Sequence, residues 1–210
     1  MSVKLRDFNE VAARWDQKPR RVLLARTVTE AIIREAQPAM SMRCLDFGCG
    51  TGLVTLALAP LVHEMFAADS STGMLEQLAA KLVDADISNV STLALPHEGT
   101  IQWPEQLDMI VSSMTMHHIS DVGRLIMEFY AILAPGGQLC IADLETEDGS
   151  FHDDPTGIQH HGFARDEMER FFREAGFSSV RTMPVMDVKK ERDEQSSCYP
   201  VNLTIGRRDD

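Results

Sequence analysis

The stretch Leu45-Asp46-Phe47-Gly48-Cys49-Gly50-Thr51-Gly52 constrains this chain more than any other. Apolar residues run into it from Met42, and a helical pattern of apolar positions leaves it from Leu53. That order reads as a buried strand, a glycine turn and a helix start. Glycine at every second position strips side chains from the turn, so the backbone can take φ > 0 and lie close to a ligand. The helix that follows offers unpaired N–H groups and the positive end of its dipole, a setting for a carboxylate or phosphate. Strand, glycine turn and helix together suit a nucleotide-type cofactor. A glycine-rich turn that binds nothing is the plainer alternative.

Composition bounds what the rest can be. At 210 residues the chain is read as a single domain, 1–210, long enough to bury a sizeable core. Its hydrophobic fraction of 44% is ordinary for a globular protein, and no apolar run approaches the roughly 20 residues that span a bilayer. No secretory signal is visible in Met1 to Asp16. Cys44, Cys49, Cys140 and Cys198 lack paired ligand spacing, so they are expected as reduced thiols in a cytoplasmic protein, with no metal site. A net charge of -12 repels phosphate backbones and argues against nucleic acid as partner. Oligomeric state is not written in the sequence.

In chain order, Leu5, Phe8, Val11, Ala12 and Trp15 share a helical face. A second helix follows from Pro19 to about Ala36. Strands are expected at Met42–Phe47, Leu61–Ala68, Val90–Leu95, Leu107–Met114 and Gln138–Ala142. Two more, Ser179–Val188 and Cys198–Ile205, are joined by a charged hairpin loop, Lys189 to Gln195. Asp69 ends strand two, 23 positions past Asp46, near the spacing of the acid that binds ribose hydroxyls in βαβ nucleotide folds. It could equally cap the next helix, as could Ser71 or Thr72. Asp121 is a candidate N-cap. Ala134-Pro135-Gly136-Gly137 reads as a tight reversal. The polar segment 145–163 is too long for a passive connection and is expected to overhang the ligand mouth. Its His and Asp residues read as a solvated loop rather than a metal site.

The glycine turn departs from the dinucleotide fingerprint, which is G-x-G-x-x-G. With Asp46 two places before Gly48, it resembles motif I, D/E-x-G-x-G-x-G, of the class I S-adenosyl-L-methionine-dependent methyltransferases. Asp69-Ser70-Ser71-Thr72-Gly73-Met74, the Asp108 strand and Pro135-Gly136-Gly137 before strand five resemble further family segments, in the family's order. The resemblance implies a doubly wound, Rossmann-like, seven-stranded sheet, mostly parallel with an antiparallel C-terminal strand and helices on both faces. It implies S-adenosyl-L-methionine as cofactor and in-line methyl transfer to a small-molecule acceptor. The implied cofactor-binding residues are Asp46, Gly48, Cys49, Gly50, Asp69, Ser70, Met74, Leu95 and Ser112. Residues 1–38 resemble an N-terminal helical lid, although Phe8 and Trp15 could be core anchors, and Met74 could be core rather than adenine wall. The family's Asp after strand three is missing. His97, Glu98 or a backbone carbonyl could replace it. His117, His118, His160 and His161 border the expected mouth, and none is assigned a catalytic role. An NAD(P)-dependent oxidoreductase and a non-catalytic cofactor-binding module are the competing readings.

Overall fold

The computed structural model describes residues 7–96, 103, 106–192 and 195–209. His97 and Glu98 lie outside them. One sheet runs in the order β3-β2-β1-β4-β5-β7-β6. Its strands are β1 Arg43–Phe47, β2 Glu64–Asp69, β3 Val90–Ala94, β4 Leu107–Ser113, β5 Leu133–Leu144, β6 Ser178–Arg192 and β7 Gln195–Arg207. β7 is antiparallel to both of its neighbours, and every other pairing is parallel. The doubly wound sheet with a reversed C-terminal strand is therefore present as expected.

Alternating burial explains why the central strands read as unbroken apolar runs. On one face Cys44, Met109 and Cys140 pack with Leu24, Val28 and Ile32 of α2 (Pro19–Ala36). On the other, Leu45, Ile110 and Ile141 pack with Ile126 and Phe129 of α5 (Val122–Ile132) and Phe172 of α6 (Arg165–Ala175). Each such Val, Leu, Ile, Met or Phe side chain is worth about 1.5–3 kcal/mol when fully buried, so both helical layers are bound to the sheet. α3 (Leu53–Leu58) leaves the glycine turn, and α4 (Thr72–Asp84) follows β2. Ser71 caps α4 by accepting from Met74 N–H, and Asp121 caps α5 by accepting from Arg124 N–H at 3.0 Å.

The boundaries differ from expectation in four places. Among the described residues the first helical stretch is α1 (Asn9–Ala12) followed by a 3-10 turn at Trp15–Gln17, and Leu5 lies outside them. Strand two starts late, because Pro60 opens a 3-10 turn at Ala59–Leu61. Ala134-Pro135-Gly136-Gly137 lies within β5 as a bulge instead of a full reversal, with Gly136 at φ 80° and the pairing with β4 jumping from Leu133 to Gln138. Gly136 N–H donates to Arg208 O and Arg208 N–H donates to Gly137 O, so the main chain just past β7 holds this bulge in place. Lys189 to Gln195 is largely strand rather than loop, and Lys190 is buried.

Candidate active site

Parallel strands leave their carboxyl ends on one edge, and the strand order reverses between β1 and β4. That switch point is where open α/β sheets bind ligands. A cavity of about 1540 Å³ opens there. Asp46, Gly48, Cys49, Gly50, Asp69, Ser70, Met74 and Leu95 all line it. Ser112 does not. It is buried, and its hydroxyl donates to Phe47 O at 2.8 Å, tying β4 to the end of β1.

The glycines have separate reasons. A Cβ at Gly48 would sit 2.3 Å from Thr115 Oγ1, and one at Gly52 2.3 Å from Leu78 Cδ1. Gly50 has φ 54°, yet a Cβ there would meet nothing within 4 Å. Close packing thus forbids side chains at the two ends of the turn, while its middle is bare and open. Asp69 braces that middle. Its Oδ2 accepts from Gly50 N–H and its Oδ1 from Ser71 N–H, both at 2.8 Å. Burial raises its carboxyl above the ordinary value, and these backbone donors oppose the rise.

Asp46 is 1% exposed, with the Thr55 hydroxyl donating to Oδ2 at 2.6 Å. Burial pushes its carboxyl up to about 7, the Thr55 hydrogen bond opposing and the charge of Asp69 adding to the rise. Met74, Leu95 and Trp103 form an apolar wall nearby, and Trp103 stands edge-on to Phe66 at 4.9 Å. Trp103 was not signalled by any motif.

The N-terminal segment closes over this half. Phe8, Trp15 and Arg21 line the cavity, with the Arg21 guanidinium 3.4 Å from the Trp15 ring centroid. Asn9 Oδ1 accepts from Gly73 N–H at 2.7 Å and from the Ser71 hydroxyl at 2.9 Å. Asp16 accepts from the Thr51 hydroxyl at 2.6 Å and pairs with Lys81.

The far half is built from β4, β5 and residues 145–163. Met114 has φ 57°, a strained value for a side-chain-bearing residue. The 3-10 turn Met116–His118 follows directly. His117 Nδ1 lies 2.7 Å from Asp143 Oδ1, and both side chains are 2% exposed. His117, His118, Phe151, His152 and Lys190 line the cavity. Lys190 donates to Phe151 O. His160 and His161 do not line it. His160 Nε2 pairs with Ile119 O at 2.9 Å, and His161 faces Glu147 at 3.5 Å. Among the described residues, no group of three or more His, Cys, Asp or Glu is placed to hold a metal ion. No described helix is long and apolar enough to cross a membrane.

A sequence profile described as a methyltransferase domain matches residues 15–182. The chain belongs to the methyltransferase domain family. This agrees with the class I resemblance and with the terminal hairpin that extends the sheet. An uncharacterised methyltransferase of Schizosaccharomyces pombe is 29% identical to this methyltransferase domain over 177 residues, covering 74% of this chain and 62% of that one. The chain thus spans less than two thirds of the length of that relative. A methyltransferase of Haloferax volcanii, solved in complex with a methyltransferase activator, matches with TM-score 0.76 at 18% identity, covering 98% of this chain and all of that one. A SAM-dependent methyltransferase of Aquifex aeolicus matches with TM-score 0.70 at 19% identity, covering 96% and 99%. Both show the shared fold.

Proposed function

We propose that this domain binds S-adenosyl-L-methionine between the glycine turn and α4, and that it methylates a small molecule held in the far half of the cavity. When bound, the donor supplies a methyl group on a positively charged sulfur, which leaves in an in-line displacement. One observation carries the reading. Asp46, Gly50 and Asp69, separated along the chain, converge on one cavity, and Asp69 is bonded to the bare Gly50 N–H.

The residues present fit the donor. Asp69 keeps acceptor capacity beyond its two backbone bonds and suits a ribose diol. Asp46 suits the donor's ammonium, which would offset the cost of burying a carboxylate. The open backbone at Gly50 permits close approach, with Gly48, Cys49 and Ser70 beside it. Met74 and Leu95, with Trp103, offer an apolar slot for adenine. Ser112 supports the end of β1 rather than meeting the ligand. Residues 1–38 act as lid and 145–163 as the acceptor-side loop.

A cavity of about 1540 Å³ exceeds the roughly 300–1,000 Å³ of common ligand sites, leaving room for two reactants. Covering by the lid and loop favours a small acceptor over a polymer. The charge of -12 disfavours nucleic acid, and four free cysteines fit a cytoplasmic setting. Holding both reactants in line supplies about 7–11 kcal/mol of the barrier. Calorimetry with S-adenosylhomocysteine and NADH tests the reading. Binding of the first alone is expected, and binding of NADH alone would restore the oxidoreductase reading.

A further inference from the structure

We propose that His117, oriented by Asp143, is the general base of this site, and that the acceptor is an aromatic hydroxyl compound. The inference rests on the donor reading above and adds the acceptor class. Asp143 sits at the end of β5, in the apolar core, where an ionisable group is costly unless it is satisfied. It is satisfied by three groups. His117 Nδ1 approaches Oδ1 at 2.7 Å, Leu144 N–H donates to Oδ1 at 2.8 Å, and His117 N–H donates to Oδ2 at 3.3 Å. Burial alone would raise this carboxyl, but the His117 ring and the two N–H groups hold it below the usual carboxylate range. Asp143 is then an acceptor only, which fixes the His117 proton on Nδ1. In the neutral ring the lone pair is then on Nε2, the ring nitrogen not engaged by Asp143, on a residue that lines the cavity.

The backbone fixes the ring as well. His117 O accepts from Gln159 N–H at 2.9 Å and from His160 N–H at 3.1 Å, while its N–H donates to Asp143, so the main chain at His117 is held at both its donor and its acceptor. Position within the sheet separates this pair from the donor site. Asp69 on β2 and Asp143 on β5 are three strand spacings apart, roughly 14 Å. The pair therefore faces the half left for the acceptor. Rings surround it. His118 stands 4.3 Å and His152 4.8 Å from the His117 centroid, Phe8 is edge-on to His118 at 5.2 Å, and Phe151 is edge-on to His152 at 4.8 Å. A wall of this kind takes a flat ring edge-on or offset.

The step balances. The acceptor O–H bond breaks, its proton passes to His117 Nε2, and the oxygen forms an O–C bond to the methyl. The methyl–sulfur bond breaks with its electron pair on sulfur. Products are a methyl ether and S-adenosylhomocysteine, and the proton on His117 returns to solvent. Asp143 does not touch the acceptor and is a positioning residue.

The probe is para-nitrophenol, whose phenolate is yellow, with para-nitroaniline as a ring-matched control lacking the acidic proton. At a pH below the free phenol's own titration, the wild-type chain is expected to show the phenolate band, both with and without S-adenosylhomocysteine. His117→Asn should bind the phenol without the band and keep its S-adenosylhomocysteine affinity within about twofold. It should form the methyl ether roughly 100- to 10,000-fold more slowly. Asp143→Asn should lose the band, and Asp143→Glu should recover part of it, which a merely structural role would not produce. Persistence of the band in His117→Asn, or no binding of the phenol to wild type, overturns the proposal. Failure of S-adenosylhomocysteine to bind would instead sink the donor reading, and the band read without it still decides His117.

Discussion

Proton release on cofactor binding isolates the carboxyl of Asp46. Burial pushes it up to about 7 from an ordinary value of 3.8. An ammonium placed beside it favours the ionised form, so binding expels the proton. At about pH 6 the ligand-free carboxyl is mostly protonated, and about 0.9 proton should leave per S-adenosylhomocysteine bound. At about pH 8 the figure falls to about 0.1. Affinity should rise by up to about tenfold per pH unit below 7 and level off above it. Stability runs the other way. A carboxyl that titrates higher folded than unfolded contributes stability that is present below about pH 4 and is lost as the pH climbs through about 7. A shift of about three units at 1.36 kcal/mol each bounds that loss at about 4 kcal/mol. Asp46→Asn keeps an oxygen to accept from the Thr55 hydroxyl but cannot ionise. It should melt higher than the parent above neutrality and bind S-adenosylhomocysteine with little pH dependence. Calorimetry in two buffers of different ionisation enthalpy measures the released proton, and melts at low and high pH measure the rest. No proton release from the parent at about pH 6, or the same release from Asp46→Asn, would refute the reasoning.

Asp69→Ala strands the Gly50 N–H and removes the proposed ribose acceptor, so S-adenosylhomocysteine should bind more weakly by roughly 1–3 kcal/mol in calorimetry. Unchanged affinity removes Asp69 from the site. Gly52→Ala places a methyl 2.3 Å from Leu78 Cδ1 at φ 79°, and denaturant unfolding should show a loss of about 1–3 kcal/mol. Leu78→Ala in the same chain should relieve the clash but not the backbone strain. Asn9→Ala removes the acceptor shared by Gly73 N–H and the Ser71 hydroxyl. Stopped-flow should show faster S-adenosylhomocysteine release, about fivefold for roughly 1 kcal/mol, while the melting temperature barely moves.

The half of the cavity lined by the glycine turn was legible because its signals are local. The Asp46 to Gly52 turn and the β2–α4 connection each fall within a few residues, and strand, glycine and cap signals are short-range. The sheet was legible for a similar reason, since strands covered on both faces are apolar throughout. The half around His117 and Asp143 was not. Asp143 meets His117 across 26 positions and Lys190 meets Phe151 across 39, so their burial is decided by tertiary contacts. An acid ending the strand-five apolar run was the available signal for Asp143. Ser112 shows the limit of strand-end reasoning, because period-two alternation turned it toward Phe47 O and turned Ser113 toward the cavity. The Pro135-Gly136-Gly137 segment carries turn residues and does bend, but only as a bulge, because the main chain at Arg208 supplies partners that keep it in the sheet.

A crystal structure grown with S-adenosylhomocysteine tests the central claim most directly. The account predicts its ribose hydroxyls on Asp69, its ammonium at Asp46, its adenine between Met74 and Leu95, and its sulfur turned toward His117. A nucleoside seated anywhere else, or a cavity that closes on its own side chains and excludes it, would contradict the account.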